Sequence, residues 1–454
     1  MRKKQYGRAF LLLVSGSILL SLIFFLRSTH QIPQNSSTLW FYLILWLIDV
    51  YLWFKLSPTF SNYSKPLKLT LFILFWMPFA VIAGMLALMT VYPFEYWSVS
   101  FRTWSIASIL LIYLSKSVPL ILLLISDAIR LASLRIKRNE NRVVFNYERN
   151  PKQISRSRFI RNAGILGGGI VFSSLLVSLL KWAYDFRVHR VRVALANWPV
   201  QLNGFKIVQI SDIHFGSWIN TSHFEQAVNQ INSLNPDLIV FTGDLVNYES
   251  AEAIPFKRSM SKLKAKYGVY ATLGNHDYGN YIRWKTQADR LADVDKLKGH
   301  MLDSGWKLLL NSHSIIKTDK GEFCLAGVEN WGYHRRFPRK GDLPKAIAGV
   351  PNTLPIILLS HDPTHFERIV APLFPQVGLT LSGHTHGAQL GVENRFFRWS
   401  PSKYIYKYWA GLYHLPASNQ FLYVNRGLGS IGFPGRVGIL PEITLLEIES
   451  SESV

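Results

Sequence analysis

The chain has 454 residues, of which 49% are hydrophobic, with a mean hydropathy of +0.13 and a net charge of +22. Residues 1–184 contain 21 Lys and Arg against 5 Asp and Glu, whereas the remaining residues contain 29 against 23. The basic excess therefore lies among apolar runs, as in membrane-protein loops, which argues against a wholly soluble protein and makes nucleic acid an unlikely partner.

Five apolar runs follow one another in the first part of the chain. Each is long enough to be considered for a span of about 30 Å of hydrocarbon. They cover residues 9–26, 39–54, 69–92, 104–126 and 163–180. We therefore predict that residues 1–184 form an all-α transmembrane region of about five helices. The protein would then be an integral, multi-pass membrane protein.

Loop charges predict the orientation of these spans. Segment 130–161 carries ten Lys and Arg, whereas the loop after the third run carries only Arg102 and Glu95. Because basic loops stay in the cytoplasm, five spans place the C-terminal domain outside it. Asp49 and Lys116 lie inside the runs, where charged groups are costly. A transport or sensing role, structural pairing with each other, or snorkelling of the charged groups to the membrane interface would explain them.

From residue 185 to residue 454, short β-type runs alternate with amphipathic helical stretches, which is typical of an α/β domain. A helix is predicted over 221–234, with Ser222 and Glu225 as a capping box. The predicted strands cover 205–210, 238–242, 269–273, 356–359, 379–382, 421–424 and 443–448.

Polar side chains stand directly after five of these strands, where ligands collect in α/β sheets. They are Asp212 and His214, then Asp244, then Asn275 and His276, then His361, and finally His384 and His386. The single cysteine, Cys324, excludes a thiolate cluster, so oxygen and nitrogen donors remain. Such donors suit two divalent ions, with Mn²⁺ as first candidate and Fe, Zn or Mg as alternatives. Even seven of these eight side chains would exceed one tetrahedral site, but two metals sharing one carboxylate would use them.

The strings Asp212-Ile213-His214, Gly243-Asp244, Gly274-Asn275-His276-Asp277, His361 and Gly383-His384-Thr385-His386 resemble, in order, the five motifs of the calcineurin-like metallophosphoesterase family. The resemblance covers about residues 205–449. Segments 273–279, 381–389 and 425–429 look most like the membrane-anchored branch of that family. One departure is Ala388, which stands where a second glycine often follows and contributes no ligand.

The resemblance implies a double β-sheet sandwich flanked by helices, with a dinuclear metal centre. It implies that one metal is held by Asp212, His214 and His386, and the other by Asn275, His361 and His384. Asp244 would bridge the two metals. His276 would contact the phosphate and protonate the leaving oxygen, and Asp277 would orient His276.

The implied activity is hydrolysis of a phosphodiester, of which a phospholipid or another lipid-linked ester is one candidate, or of a phosphomonoester, by metal-activated hydroxide. Segment 396–413 interleaves aromatic and basic residues, which suits a membrane surface or lipid substrate, single-stranded nucleic acid, or an ordinary partly buried loop. His313 and His334 are the next candidates for a substrate wall. The competing hypotheses are a receptor or scaffold with a non-hydrolysing domain, and a transporter with an appended domain.

Overall fold

The computed structural model describes residues 36–89, 91–92, 97–138, 156–394 and 396–451. The chain divides into two compact units, Met1–Leu176 and Val177–Val454. The first predicted span, 9–26, lies outside the described residues. The domain boundary at residue 184 stays a prediction.

Four helices of the described N-terminal part are long and apolar enough to cross a membrane. They match the second to fifth predicted runs, because each contains an uninterrupted stretch of aliphatic and aromatic residues. Their bounds are α1 Ser36–Leu56, α2 Lys65–Met89, α3 Val99–Arg138 and α4 Arg156–Leu180.

A buried ion pair links α1 to α3. Lys116 Nζ lies 2.6 Å from Asp49 Oδ1, and the Asp49 carboxylate is fully buried. Tyr113 Oη donates a hydrogen bond of 2.7 Å to the other carboxylate oxygen, and Lys116 also donates to the Phe75 carbonyl of α2 at 3.3 Å. The predicted pairing of Asp49 with Lys116 is confirmed. The pair joins three apolar helices at a point where an unpaired charge would be costly.

The second unit contains two six-stranded mixed sheets, and the strands of each are hydrogen-bonded to their neighbours in the spatial order that follows. The first sheet contains β1 Arg187–Leu195, β14 Glu442–Ser450, β2 Phe205–Ile210, β3 Leu238–Phe241, β4 Val269–Ala271 and β5 Trp306–Leu308. The second sheet contains β12 Gly411–Leu415, β13 Gln420–Val424, β9 Val377–Ser382, β8 Ile356–Leu359, β7 Glu322–Gly327 and β6 Ser312–Lys317. A short hairpin pairs β10 Val392–Glu393 with β11 Arg398–Trp399.

The two sheets pack face to face through a core that draws on both, including Ile207 and Val240 from one and Ile357 and Leu379 from the other. The remaining face of each sheet is covered by helices. These are α5 Thr221–Ser233, α6 Lys257–Met260, α7 Gln287–Asp303, α8 Leu343–Ala346, α9 Pro363–His365, a π-helix Phe366–Val370 and α10 Ala371–Leu373. The predicted helix-flanked sandwich is confirmed.

Helix α5 begins one residue earlier than its predicted cap. Asn220 is the N-cap, and its side chain accepts a hydrogen bond from the Ser222 backbone N–H at 3.1 Å. The capping box predicted for Ser222 and Glu225 is wrong, since Glu225 instead accepts from Lys262. Asparagine caps helices as well as serine does. Asn220 has an extended backbone directly before the first helical residue, Thr221, which is the position that an N-cap requires.

The topology brings five strand ends together. Strands β2, β3 and β4 are parallel neighbours in one sheet, and β8 and β9 are parallel neighbours in the other. The carboxyl ends of parallel strands meet at one edge of a sheet. The polar residues that follow these five strands therefore converge where the two sheets open.

Candidate metal centre

The first donor group consists of Asp212, His214 and His386, all buried. His386 Nε2 lies 3.2 Å from Asp212 Oδ1 and 3.1 Å from His214 Nε2. His214 Nε2 lies 4.0 Å from the same carboxylate oxygen. Donor atoms about 2.1 Å from one ion lie roughly 3.0–3.4 Å apart. The spacing of this group is close to that requirement.

The second donor group consists of Asp244, His361 and His384. His361 Nε2 lies 3.1 Å from Asp244 Oδ2 and 3.3 Å from His384 Nδ1. The same oxygen of Asp244 lies 3.6 Å from His214 Nε2, which belongs to the first group. Asp244 Oδ2 therefore faces both donor groups.

The loops that carry these donors contain several residues with a strained backbone. Five of the seven predicted ligands have positive φ, namely Asp212 (50°), His214 (50°), Asp244 (62°), His384 (73°) and His386 (51°). Such conformations cost energy in residues with a Cβ and persist only where the surroundings enforce them. Here the strained positions turn side chains from separate strands towards one point.

Two glycines allow the loops to approach each other. A Cβ at Gly274 would lie 2.2 Å from Asp244 Oδ1, and a Cβ at Gly383 would lie 2.2 Å from Asp212 Oδ2. Neither distance is possible for a real side chain. The motif glycines are therefore required by close approach to the two carboxylates.

Comparison with known families agrees with this geometry. The family described as calcineurin-like phosphoesterase matches residues 205–388, and one described as probable calcineurin-like phosphoesterase, transmembrane domain, matches residues 34–181. The transmembrane protein with metallophosphoesterase domain of Danio rerio is 30% identical over 66% of this chain and 68% of its own length. The chain belongs to the calcineurin-like phosphoesterase family.

Two bacterial proteins are also similar to this chain in sequence. The uncharacterized metallophosphoesterase YkuE of Bacillus subtilis is 29% identical, with 66% of this chain and 99% of that protein aligned. The UDP-2,3-diacylglucosamine pyrophosphatase LpxG of Chlamydia trachomatis is 26% identical, with 55% of this chain and 86% of that protein aligned. Both proteins are similar to this chain in sequence, whereas its substrate is a separate question.

The donor set fits a pair of divalent cations. Asn275 donates through Nδ2 to Tyr281 Oη at 2.7 Å, while its Oδ1 is buried without a hydrogen-bond partner in the described part of the chain. A buried amide oxygen in that state suits a metal ligand. His361 Nδ1 donates to the Thr242 carbonyl at 2.8 Å, which leaves Nε2 free for a metal.

Burial and neighbouring charges shift the pKa values of the histidines. Burial is the main cause that lowers the pKa of His214, His276 and His384. Burial also acts to lower the pKa of His361, but Asp244 and Asp212 outweigh it and raise that pKa to about 10. The additional proton would lie on Nε2 of His361, the ring nitrogen that faces Asp244. A divalent cation at Nε2 would take the place of that proton, so metal binding would release it.

The contacts of Asp277 differ from the expectation that it orients His276. Its carboxylate accepts backbone hydrogen bonds from Asp244 at 2.8 Å, Leu245 at 2.8 Å and Gly274 at 2.9 Å. His276 Nδ1 instead lies 2.8 Å from the Asn247 carbonyl. Asp277 therefore ties the loop of the shared carboxylate to the loop of Asn275, and Asn247 orients the imidazole.

Sequence reasoning missed several residues around the donors. A pocket of about 530 Å³ opens beside them and is also lined by Tyr281, Arg336, Phe337 and Tyr406. Tyr406 Oη lies 3.0 Å from His384 Nε2 and falls within the aromatic segment 396–413. That composition was the only sequence signal for it.

The two histidines proposed for a substrate wall take other positions. His313 Nδ1 lies 2.8 Å from the Ala346 carbonyl, which is a packing contact with α8. His334 contacts the rings of Tyr333 and Phe337. Arg336 and Phe337, next to His334 in the chain, line the pocket instead.

Proposed function

We propose that this protein is a membrane-anchored, two-metal phosphoesterase that hydrolyses a phosphodiester, with lipid-linked diesters as first candidates. The observation that carries the proposal is the pair of buried donor groups facing one oxygen of Asp244, at 3.1 Å from His361 and 3.6 Å from His214. A single carboxylate oxygen between two donor groups is the arrangement that a dinuclear centre needs.

The two cations would be held by the residues that the family resemblance names. Asp212, His214 and His386 would hold one, Asn275, His361 and His384 would hold the other, and Asp244 would bridge them. Bound there, divalent cations would supply Lewis-acid polarisation of the phosphate and activation of water near neutral pH. Oxygen and nitrogen donors favour Mn²⁺ over ions that prefer thiolates.

His276 would donate a proton to the leaving oxygen. The Asn247 carbonyl can only accept a hydrogen bond, so His276 Nδ1 carries a proton and Nε2 is the nitrogen left to exchange one. The ring stacks on Tyr281 at 4.1 Å, which fixes its plane beside the pocket. A positioned histidine of this kind contributes roughly 10²–10⁴-fold to a rate.

The pocket lining supports an anionic substrate with an apolar part. Arg336 offers a cation, whereas Phe337, Ile405 and Phe433 offer apolar surface. No carboxylate in the described residues lies within ion-pairing distance of Arg336, so its charge is available to a ligand. A lipid-linked phosphodiester or diphosphate has both properties. The name of the LpxG relative, a pyrophosphatase of a diacylated sugar nucleotide, points the same way for that protein.

Loop charge supports placing the catalytic unit outside the cytoplasm. Lys55, Lys65 and Lys68 flank the α1–α2 connection, and ten Lys and Arg lie in 130–161 around the α3–α4 connection. The chain after α4 falls on the opposite side from both connections. This assignment depends only on α1–α4 and not on the number of spans before them. Protease digestion of intact cells, compared with lysed cells, tests it.

The central experiment is hydrolysis of a chromogenic phosphodiester by the full chain in nanodiscs, with and without Mn²⁺. We expect metal-dependent turnover that falls by about 10²–10⁴-fold in His276→Ala with bound metal retained. The matched control is His414→Ala, since His414 is exposed on β12 and stacks on Phe421. No metal-dependent turnover, with wild type equal to His276→Ala, would favour the non-hydrolysing receptor or scaffold. Metal-dependent turnover that is equal in both would instead show that His276 is not needed for the reaction.

A further inference from the structure

Four aromatic and apolar side chains lie exposed in segment 396–405, and one of them, Ile405, lines the pocket. Their exposed fractions are 91% for Phe396, 56% for Phe397, 73% for Tyr404 and 64% for Ile405. We call these four residues the aromatic rim. Contiguous exposed apolar groups of this kind mark interaction surfaces more often than chance exposure does.

The rim is built on rigid supports. Phe396 and Phe397 lie in the turn of the β10–β11 hairpin, where both backbone N–H groups donate to Asn394 Oδ1 at 2.9 Å. The hairpin is fixed to the sandwich by an ion pair of 2.6 Å between Glu393 and the buried Arg426. The hairpin that carries Phe396 and Phe397 is therefore tied to the sandwich.

The rim is continuous with the pocket. Trp399 Nε1 donates to Tyr404 Oη at 3.4 Å, which joins the hairpin to the next turn, and Ile405 itself lines the pocket. Ser400 Oγ donates to the carbonyl of Gly387 at 2.6 Å, directly after the predicted ligand His386. A molecule held at the rim would thus stand at the entrance to the donor groups.

The charged residues around the rim indicate the kind of surface that it would contact. Segment 396–407 contains Arg398, Lys403 and Lys407, all exposed, and no Asp or Glu. Aromatic rings flanked by cations match the headgroup region of a bilayer that contains anionic lipids. A chain anchored by its own helices meets that surface at high effective concentration.

We propose that the aromatic rim docks on the interface of an anionic lipid bilayer. Docking goes beyond the proposed hydrolysis and does not depend on it. If the proposed function holds, a lipid-linked phosphodiester would pass from the bilayer to the pocket along the rim without crossing water.

The test attaches an environment-sensitive fluorophore to Phe396→Cys in the full chain, reconstituted in nanodiscs of phosphatidylcholine with or without phosphatidylserine. The wild-type chain gives the labelling background, because its single cysteine, Cys324, is buried. Lys320→Cys, exposed in the turn between β6 and β7, is the matched control. We expect a blue-shifted emission at position 396 that spin-labelled lipids quench, stronger with phosphatidylserine, and a water-like emission at position 320.

Several outcomes would overturn the proposal. Water-like emission at position 396 in both nanodiscs would mean that the rim faces solvent. A blue shift that spin-labelled lipids do not quench would mean that a second copy or another protein covers the rim. A blue shift that appears only when a single-stranded oligonucleotide is added would assign the rim to nucleic acid.

A second variant links docking to substrate delivery. In Phe396→Ser with Phe397→Ser, we expect slower hydrolysis of a diester lipid embedded in the bilayer and unchanged hydrolysis of a soluble chromogenic diester. An equal rate on the embedded lipid would contradict delivery along the rim. If neither substrate is hydrolysed by the wild type, the proposed reaction fails, while the fluorophore still reports docking.

Discussion

Asp277→Asn would break the connection between the loop of the shared carboxylate and the loop of Asn275. One carboxylate oxygen accepts from Leu245 N–H at 2.8 Å, and an amide oxygen could keep that bond. The other accepts from Asp244 and Gly274 N–H groups at 2.8 and 2.9 Å, and an amide NH₂ there would face two donors. Each buried donor left without a partner costs roughly 1–3 kcal/mol, so the loss for the two N–H groups is about 2–6 kcal/mol.

Such a loss is a large share of the roughly 5–15 kcal/mol that stabilises a typical domain. We expect a lower unfolding temperature and reduced bound Mn²⁺, measured on the full chain in nanodiscs by calorimetry and elemental analysis. Asp237→Asn is the matched control, because Asp237 accepts one backbone hydrogen bond, from Lys206 at 2.9 Å, far along the strands from the donors. If Asp277→Asn lost turnover while stability and metal content stayed at wild-type levels, Asp277 would act on His276 instead of tying the two loops together.

Three further predictions follow from the packing. Lys116→Met should cost about 3–5 kcal/mol by leaving Asp49 buried and unpaired, and adding Asp49→Leu should restore most of it, as measured by thermal unfolding in detergent. Burial alone would raise the pKa of Glu442, but Arg426 outweighs it and pulls the pKa to about 2. The stability that ionised Glu442 contributes is therefore present above its unfolded pKa of about 4.3 and lost as pH falls towards 2. The difference in the free energy of unfolding between wild type and Glu442→Gln should shrink over that pH range, as measured by unfolding at a series of pH values. Gly274→Ala should remove bound metal, since the new Cβ would overlap the Asp244 carboxylate, and elemental analysis would show it.

Buried strands were predictable because burial on both faces leaves a continuous apolar run. Strands β2 and β8 have the predicted bounds, and the other five predicted strands overlap the observed ones. Strand β1, Arg187–Leu195, was missed because basic residues alternate along it. Its half-exposed register is set by parallel pairing with β14, from the far end of the chain. No local pattern carries that information.

The donor residues were predictable for a different reason. Each stands in a short string directly after a strand, so local sequence contains both its chemistry and its position. Partners that hold the donors in place are distant in sequence, as with Asn247 and His276 or Tyr406 and His384. A backbone carbonyl has no residue-type signature, so the contact to Asn247 could only come from coordinates.

Tyr406 offers the sharpest test of whether these distant partners matter. Its hydroxyl lies 3.0 Å from His384 Nε2, while the nearest carboxylate, Asp362, lies at 3.5 Å. If His384 binds metal through Nδ1, the proton on Nε2 needs an acceptor, and Tyr406 is the nearer one. Removing such partners costs about 10–100-fold in metal affinity or activity.

Tyr406→Phe should therefore weaken Mn²⁺ binding by about 10–100-fold in equilibrium titrations of the full chain, with little change in unfolding temperature. Tyr404→Phe is the control, because Tyr404 is exposed two residues earlier and contacts no donor residue. Equal affinity for Tyr406→Phe and wild type would show that His384 keeps its orientation without this hydroxyl. Tyr404 belongs to the aromatic rim in the same segment. A loss of Mn²⁺ affinity confined to Tyr406→Phe would therefore show that Tyr406 positions the metal site, whereas the neighbouring rim does not.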